Sequence, residues 1–319
     1  MEYMTVKETA KKWNVSIRTV NMHLNEGRVP GAIRKEHGWL IPANAQKPAD
    51  RRRRKAPDAA VRSQKLFMPI FSLTYSKGGF EQAVKNLLDE EERMMAWAGH
   101  FYFQGKQEQA LNAAQLGFGS QSAEIRLTAR WIHAMAAIGC GDRETCLSDF
   151  SEIVREGKSA QDDAVRVESE FIVMVSKIYF HDEAADMASL LPCFASLPEG
   201  TRYFALYARA HALYLRREYR QAIGEVEAAL ALMQNIYPIA AIYINIVGAM
   251  ASISIIGNRD AQRFFDAAWE IAMEEGYIEP FAEHHGMLQG LVEKKIRASQ
   301  PQLYEHISEL VYRFSRGWM

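Results

Sequence analysis

The sequence contains few cysteines and no secretory leader, and both absences narrow its class. Three of the 319 residues are cysteine, and Cys140, Cys146 and Cys193 lack the spacing of metal ligands. The N-terminal residues form no apolar segment of the kind that a signal peptide requires. These features favour a protein of the reducing cytoplasm over a disulfide-stabilised secreted domain.

Recognisable catalytic, metal and cofactor motifs are also lacking. In Glu283-His284-His285 the two histidines are adjacent, so on a helix they would point about 100° apart and could not share a metal ion. Gly117-Phe118-Gly119 follows a helical pattern rather than a strand, which is unlike a phosphate-binding loop. We therefore expect no cofactor, no metal and no enzymatic activity.

The charge is unevenly distributed, although the net charge is only −1. Residues 1–58 contain 13 basic and 6 acidic residues, whereas the remainder contains 25 basic and 33 acidic residues. A chain of this length is expected to form more than one unit. A basic N-terminal unit beside an acidic one favours a polyanionic partner for the first.

The first 25 residues predict two short helices joined by a tight turn. Thr5 and Glu8 form a capping-box pattern, and Ser16 can cap the second helix. Apolar residues follow at helical spacing, namely Val6, Ala10 and Trp13, then Ile17, Val20 and Leu24. The other side of the second helix would present Arg18, Thr19, Asn21, Met22 and Asn25. This layout is typical of a helix-turn-helix.

A two-stranded hairpin is predicted directly after these helices. Residues 32–35 and 39–42 have the character of short strands, and residues 36–38 would form the tip between them. Arg34, Lys35 and His37 lie at or near that tip, and phosphate contacts require hydrogen-bond donors and positive charge. The sequence thus predicts a wing beside the helix-turn-helix.

The N-terminal residues resemble a known bacterial family. The segments that carry the resemblance are Thr5–Ala10, Val15-Ser16, Arg18–Val20, Glu26–Ala32 and Gly38–Pro42. They look like the winged helix-turn-helix of MerR and excisionase type, in which the second helix enters the major groove. The resemblance maps that helix to Ser16–Asn25 and the wing to Ala32–Ile41. Met22 and His23 stand where many MerR proteins carry paired tyrosines, so effector-driven untwisting of DNA is not implied.

The predicted DNA-contacting residues come from this unit and from the linker that follows it. Within residues 1–45 they are Ser16, Arg18, Thr19, Asn21, Met22, Arg28, Arg34, Lys35 and His37. In the linker, residues 46–60, they are Arg51, Arg52, Arg53 and Arg54. Adjacent cations would follow phosphates and raise affinity without specificity, although a solvated linker explains the run as well.

Residues 61–319 contain an internal repeat of 36 to 39 residues. Its small residues are Ala110, Cys146, Ala184, Ala222 and Ala261, and apolar residues follow four positions later at Ala114, Phe150, Ala188, Val226 and Phe265. Small residues allow the two helices of a unit to pack closely. The repeat therefore predicts a mostly α protein in which this region is a tetratricopeptide-like α-solenoid.

Two further expectations follow from the repeat. Residues 66–90 and 280–316 would cap the two ends of the stack, and its concave inner face would be free for partners. The uncharged segment Ile239–Ile256 approaches the length of a membrane span, but it begins after Pro238 and falls in repeat phase. We expect it to be a buried helix, with no contact to a membrane.

The repeat region also resembles the tetratricopeptide-like domains of bacterial regulators related to MalT and LuxR. Segments near Ala96–Ala98, Tyr102–Lys106, Glu108–Ala110 and Leu303–Met319 carry this likeness. In many such regulators a LuxR-type helix-turn-helix follows. The sequence ends at Met319 without one, so a protein that lacks it and a fragment of a longer protein are both open.

Together these features predict a cytoplasmic transcription regulator that binds double-stranded DNA. The solenoid would form a homodimer, because a single small module contacts little DNA, and it could bind a protein or small-molecule effector. The alternative is an interaction adaptor whose basic N-terminal unit binds protein or nucleic acid without sequence preference.

Overall fold

The computed structural model describes residues 3–13, 15–25, 28–35, 38–43, 45, 47, 65–76, 78–181, 194–233, 236–255 and 260–318. The chain divides into two compact units, Met1–Arg62 and Ser63–Met319, which we call the head and the body. It is mostly helical, and its described strands form one small sheet in the head. The predicted fold class is thus correct at the level of a mostly α protein.

The head contains two helices and a three-stranded antiparallel sheet. Its elements are β1 (Tyr3–Met4), α1 (Val6–Trp13), α2 (Ile17–Asn25), β2 (Ile33–Lys35) and β3 (Gly38–Pro42). The strand order is β1-β3-β2. Ile33 pairs with Leu40, as the predicted hairpin requires, and Met4 pairs with Ile41. β1 is an additional strand that the sequence pattern did not indicate.

Both predicted helix caps are present in the head. The backbone N–H of Thr5 donates to Glu8 Oε2 at 2.8 Å, and the N–H of Glu8 donates to Thr5 Oγ1 at 3.3 Å. These hydrogen bonds, the backbone one first, lower the pKa of Glu8. Ser16 Oγ accepts a hydrogen bond from the N–H of Thr19 at 3.2 Å. Local sequence therefore fixes where α1 and α2 begin.

A small apolar cluster holds the head together. Its buried members are Ala10, Trp13, Val20, Leu24, Val29 and Ile41. Ile17, which helical spacing places on the same side of α2 as Val20 and Leu24, is 50% exposed and is not a member. Ile17 is the first residue of α2, and the buried stripe begins one turn later at Val20 and includes His23.

The body contains the remaining helices. They are α3 (Pro69–Ser72), α4 (Phe80–Lys85), α5 (Glu90–Phe103), α6 (Gln107–Gln115), α7 (Ala123–Gly139), α8 (Arg143–Ser159), α9 (Asp163–Tyr179), α10 (Glu199–Leu215), α11 (Tyr219–Leu232), α12 (Pro238–Ile253), α13 (Ala261–Met273), α14 (Glu279–Glu283), α15 (Leu291–Ile296) and α16 (Pro301–Trp318). A 3-10 helix, His285–Leu288, lies between α14 and α15.

Most of these helices form stacked pairs. The pairs are α5 with α6, α7 with α8, α10 with α11 and α12 with α13. The first helices of the pairs, together with α9, contact one another in succession, and we call them the first-helix layer. Ala184 and Ala188, which the repeat placed after α9, lie outside the described residues.

Three turns within the pairs share one geometry. Gly105, Gly141 and Arg217 have φ values of +74°, +83° and +64°, and each lies two residues before the first residue of the second helix of its pair. In each turn the N–H of the next residue donates to a carbonyl five positions earlier, as from Lys106 to Phe101 at 2.9 Å. This C-terminal cap explains why turn residues recur there with the repeat.

The small residues of the repeat occupy equivalent positions in three pairs. The buried fourth residues of α6, α8 and α11 are Ala110, Cys146 and Ala222. The last pair differs, because Ala261 begins α13 and is half-buried. Phe264 is its fourth residue, and its ring lies 2.8 Å from the position of a Cβ atom at Gly248 on α12. The small residue that permits close packing is there on the first helix.

Segments from both ends of the body cover the first-helix layer. α3 contacts α5, α10 and α12, α14 contacts α5 and α12, and α16 contacts α7. Phe71 of α3 packs its ring 4.2 Å from that of Phe204 and 5.7 Å from that of Trp131. The expectation that residues 66–90 and 280–316 only cap the stack is therefore wrong, although α4 lies against α5 and α15 is tied to α13 through Lys295 and Asp266 at 2.6 Å.

The uncharged segment after Pro238 forms α12, which is buried along its length between α10, α11 and α13. This confirms the expectation of a buried helix. Within the described part of the chain, no helix combines the length and apolar character that crossing a membrane requires.

A glycine pair tests how tightly α3 is held. A Cβ atom at Gly200 would lie 1.8 Å from the carbonyl oxygen of Phe71, whereas one at Gly224 would meet open space. We expect Gly200→Ala to lower the free energy of unfolding by about 3 kcal/mol or more through overpacking. The control Gly224→Ala should be neutral or stabilise by up to about 1 kcal/mol, since alanine favours helix. Urea unfolding followed by circular dichroism measures both, and equal effects would contradict this packing.

Candidate functional site

One side of α2 carries side chains that form no hydrogen bond and no ion pair with another described residue. Arg18 and Met22 are exposed and Asn21 is half-buried. Asn25, one turn further along, is also exposed, as its predicted place on this side of the helix requires, although it is not among the predicted DNA contacts. Among the described residues none of the four forms a hydrogen bond or an ion pair. This set, the α2 face, can contact an external partner without breaking an internal interaction.

Ser16 and Thr19 lie at the start of α2 and also serve the local structure. Their hydroxyl oxygens are 2.9 Å apart, and Ser16 caps the helix. Ser16 is exposed and Thr19 is half-buried. Each hydroxyl can still accept a further hydrogen bond. Their predicted DNA contacts therefore stay predictions beside a capping role that the structure assigns.

Arg28 is positioned differently from the α2 face. It is half-buried, and its Nη1 atom lies 3.2 Å from Nδ1 of the buried His23. A guanidinium can only donate, so Nδ1 of His23 accepts this hydrogen bond. Arg28 thus anchors the chain directly after α2, in addition to any external contact.

A basic groove lies between the start of α1 and the β2–β3 hairpin. It has a volume of about 710 Å³, and its lining includes Lys7, Arg34 and Lys35. All three are exposed, and the guanidinium carbon of Arg34 lies 5.9 Å from the centre of the Trp39 ring. Sequence reasoning missed Lys7, whose position in the first turn after the capping box was the available signal.

The described part of the head is strongly basic. Its basic residues are Lys7, Lys11, Lys12, Arg18, Arg28, Arg34, Lys35 and Lys47, and Glu8 is its one acidic residue. The Glu8 carboxylate already accepts hydrogen bonds from Thr5. His37 and Arg51–Arg54, which the sequence also singled out, lie outside the described residues.

The body has a buried polar centre where α14 meets the first-helix layer. Glu283 ends α14, is fully buried, and accepts hydrogen bonds from the hydroxyl of Tyr102 on α5 and from that of Tyr243 on α12, the latter at 2.5 Å. Burial raises the pKa of Glu283 to about 7, although these hydrogen bonds oppose the shift. The carboxyl group therefore exchanges its proton near neutral pH.

The groups around Glu283 supply no positive charge. Glu279 is fully buried, and neither of its carboxyl oxygens has a hydrogen-bond partner in the part of the chain that the structure describes. Burial, and then the charge of Glu283, raise its pKa well above the usual value. Burial lowers the pKa of His284 to about 4, and its Nε2 atom is 3.2 Å from the hydroxyl of Tyr207. The centre thus consists of carboxyl groups that tend to keep their protons, rather than of an ion pair.

These groups do not form a metal site. His284 is buried, whereas His285 turns outward, with Nε2 2.9 Å from Glu293. Within the described residues no group of three or more histidine, cysteine or carboxylate side chains could hold a metal ion. The buried centre is also closed, because the cavity beside it, lined by Tyr102, Tyr179 and Tyr243, has no room for a water-sized molecule.

Comparison with known proteins adds no further constraint on the site. No protein-family model matches the chain, and neither a curated protein nor a solved structure matches it significantly.

The raised pKa of Glu283 makes the stability of the body depend on pH. An acid whose pKa is about 7 when folded and 4.5 when unfolded stabilises the fold below pH 4.5 and loses that contribution as pH rises through 7. We expect wild type to lose stability relative to Glu283→Gln between pH 5 and pH 8.5, by about 3 kcal/mol. Urea unfolding at both pH values measures this difference.

The comparison with the variant removes the effect of the histidines. His100, His211 and His284 have lowered pKa values, so they add stability as pH rises towards 6.5 in both proteins. In the variant, burial still raises the pKa of Glu279, but the charge of Glu283 no longer adds to that shift. A difference between wild type and Glu283→Gln that is the same at pH 5 and pH 8.5 would contradict the raised pKa.

Proposed function

We propose that this chain is a DNA-binding transcriptional regulator of the bacterial cytoplasm. In this proposal the head is a winged helix-turn-helix of MerR and excisionase type, and α2 docks in the major groove. The body is a tetratricopeptide-like repeat domain that dimerises and binds a partner or an effector.

The α2 face is the observation that carries this proposal. Val20, His23 and Leu24 fix α2 against the rest of the head, so the helix presents its opposite side rigidly. Arg18 and Asn21 supply the guanidinium and amide groups that form bidentate hydrogen bonds with guanine and adenine edges. Met22 supplies an apolar contact of the kind that a thymine methyl group accepts.

The basic groove supports the same proposal by a different route. Lys7, Arg34 and Lys35 are exposed and close enough to line one groove, where successive phosphates could be neutralised. Phosphate contacts of this kind fix the position of a protein on a duplex, whereas base contacts supply specificity. Arg51–Arg54 remain a predicted addition to this contact.

Two copies are expected to act together. A single small module buries too little DNA surface for tight specific binding, and such modules usually pair on two half-sites. The body is the larger unit and has exposed apolar side chains, of which Leu232 and Leu116 are both 65% exposed. Light scattering is expected to give the mass of a dimer.

Apolar exposure on α2 favours an alternative function. Ile17 and Met22 are 50% and 45% exposed, and such side chains also serve protein contacts. The head would then be the basic module of an interaction adaptor. Selection of binding sites from random duplexes separates the two functions, because a regulator enriches one sequence, whereas an adaptor binds any duplex and heparin with similar affinity.

A double variant of α2 tests base recognition. We expect Arg18→Ala combined with Asn21→Ala to reduce the ratio of specific to non-specific affinity by at least about tenfold, since a bidentate base contact contributes about 1–3 kcal/mol. Fluorescence anisotropy with a selected and a scrambled duplex measures this ratio. The melting temperature should change little, because neither side chain forms a hydrogen bond or an ion pair with a described residue. An unchanged ratio would refute the assignment of α2.

A second set of variants tests the basic groove. We expect Lys7→Gln, Arg34→Gln and Lys35→Gln each to weaken all duplexes alike and to reduce the slope of log affinity against log salt by about 0.9. Lys85→Gln on α4 of the body is the matched control and should change neither quantity. A variant that alters sequence preference but not the salt slope would show that its residue contacts bases.

A further inference from the structure

The body contains a second candidate site, a groove between α8 and α9 beside the end of α16. Its volume is about 400 Å³, which lies within the range typical of small-molecule sites. The apolar walls are formed mainly by Cys146, Leu147, Phe150, Val154, Val173 and Phe180. The groove is thus shaped and lined for an apolar chain rather than for a sugar or a nucleotide.

The polar edge of the groove is positively charged. Arg143 and Lys177 both line it, and Lys177 is exposed and forms no ion pair with a described residue. The carboxylates of Asp142 and Asp149, which lie near Cys146, already have hydrogen-bond or ion-pair partners. Asp142 accepts from the N–H of Thr145 at 3.1 Å, and Asp149 pairs with Arg130 at 2.8 Å and with His133 at 2.5 Å. Lys177 is therefore the exposed cation that this edge of the groove presents to a ligand.

We propose that this groove binds a small amphipathic anion, with the carboxylate of a medium-chain fatty acid as the chemical class. The alkyl chain packs against Phe150, Val173 and Phe180. The carboxylate pairs with the exposed ammonium group of Lys177. A cationic amphiphile would meet like charge at the same edge. Ligand binding stands without the head, whereas a role as effector of DNA binding rests on the function proposed above.

Decanoate is the test ligand, with decanol and decyltrimethylammonium as neutral and cationic comparisons of equal chain length. Isothermal titration of the full chain below micelle-forming concentrations is expected to give saturable binding of decanoate at one site per chain. Binding of the neutral and cationic compounds should be at least tenfold weaker. No saturable binding of decanoate, or equal binding of the cation, would overturn the proposal.

Two variants locate the site. Lys177→Glu should weaken decanoate at least tenfold and strengthen decyltrimethylammonium, whereas Lys158→Glu, on the exposed end of α8, should leave both unchanged. Leu147→Trp, a bulky substitution at a 55% exposed wall position, should weaken every amphiphile. Melting temperatures establish that the variants are folded. Decanoate binding that survives Lys177→Glu unaltered would place the ligand elsewhere and refute the groove.

The outcomes for ligand and for DNA are separable. A chain that binds decanoate but selects no duplex would support the groove and refute the proposed function of the head. A chain that selects a duplex but binds no decanoate would support the proposed function of the head and refute the groove. Where both occur, anisotropy with and without decanoate measures whether the ligand acts as an effector.

Discussion

The buried carboxyl group of Glu283 is the contact on which the arrangement of the body depends. It accepts hydrogen bonds from Tyr102 on α5 and Tyr243 on α12, which joins helices far apart in the sequence to the short helix α14. A carboxyl group in such surroundings is tolerated only when it is protonated or hydrogen-bonded. The position of α14 is therefore fixed by polar contacts as well as by apolar packing, and Tyr277 adds a further one, 2.9 Å from His100.

The covering of the first-helix layer limits which surfaces of the body are left for function. Repeat proteins of stacked helices commonly bind partners on the layer of their first helices, but here α3, α14 and α16 cover much of that layer. The groove between α8 and α9 lies at the edge of the covered region, where Gly317 of α16 ends the lining. In our proposal the head therefore contacts DNA, and this edge of the body binds the ligand.

Local signals in the sequence predicted the elements well and their long-range contacts poorly. The caps at Thr5 and Ser16 and the hairpin after residue 31 depend on neighbouring residues, so a single sequence is enough to predict them. β1 was not predicted because a strand of two residues is too short to show the alternation of apolar and polar residues. The covering of the first-helix layer depends on contacts such as Phe71 with Phe204, which no local pattern encodes. The α2 face was predictable from helical spacing. Lys7 and Arg34 are far apart in the sequence, and only the fold brings them to the same groove.

Hydrogen exchange of the full chain with and without a selected duplex tests the central claim most directly, because it reports where the DNA lies. The account predicts slower exchange in peptides that cover α2 and the β2–β3 hairpin, and unchanged exchange in peptides from α5 and α12 around the Glu283 centre. Protection confined to the body, with exchange in α2 unaltered, would contradict it.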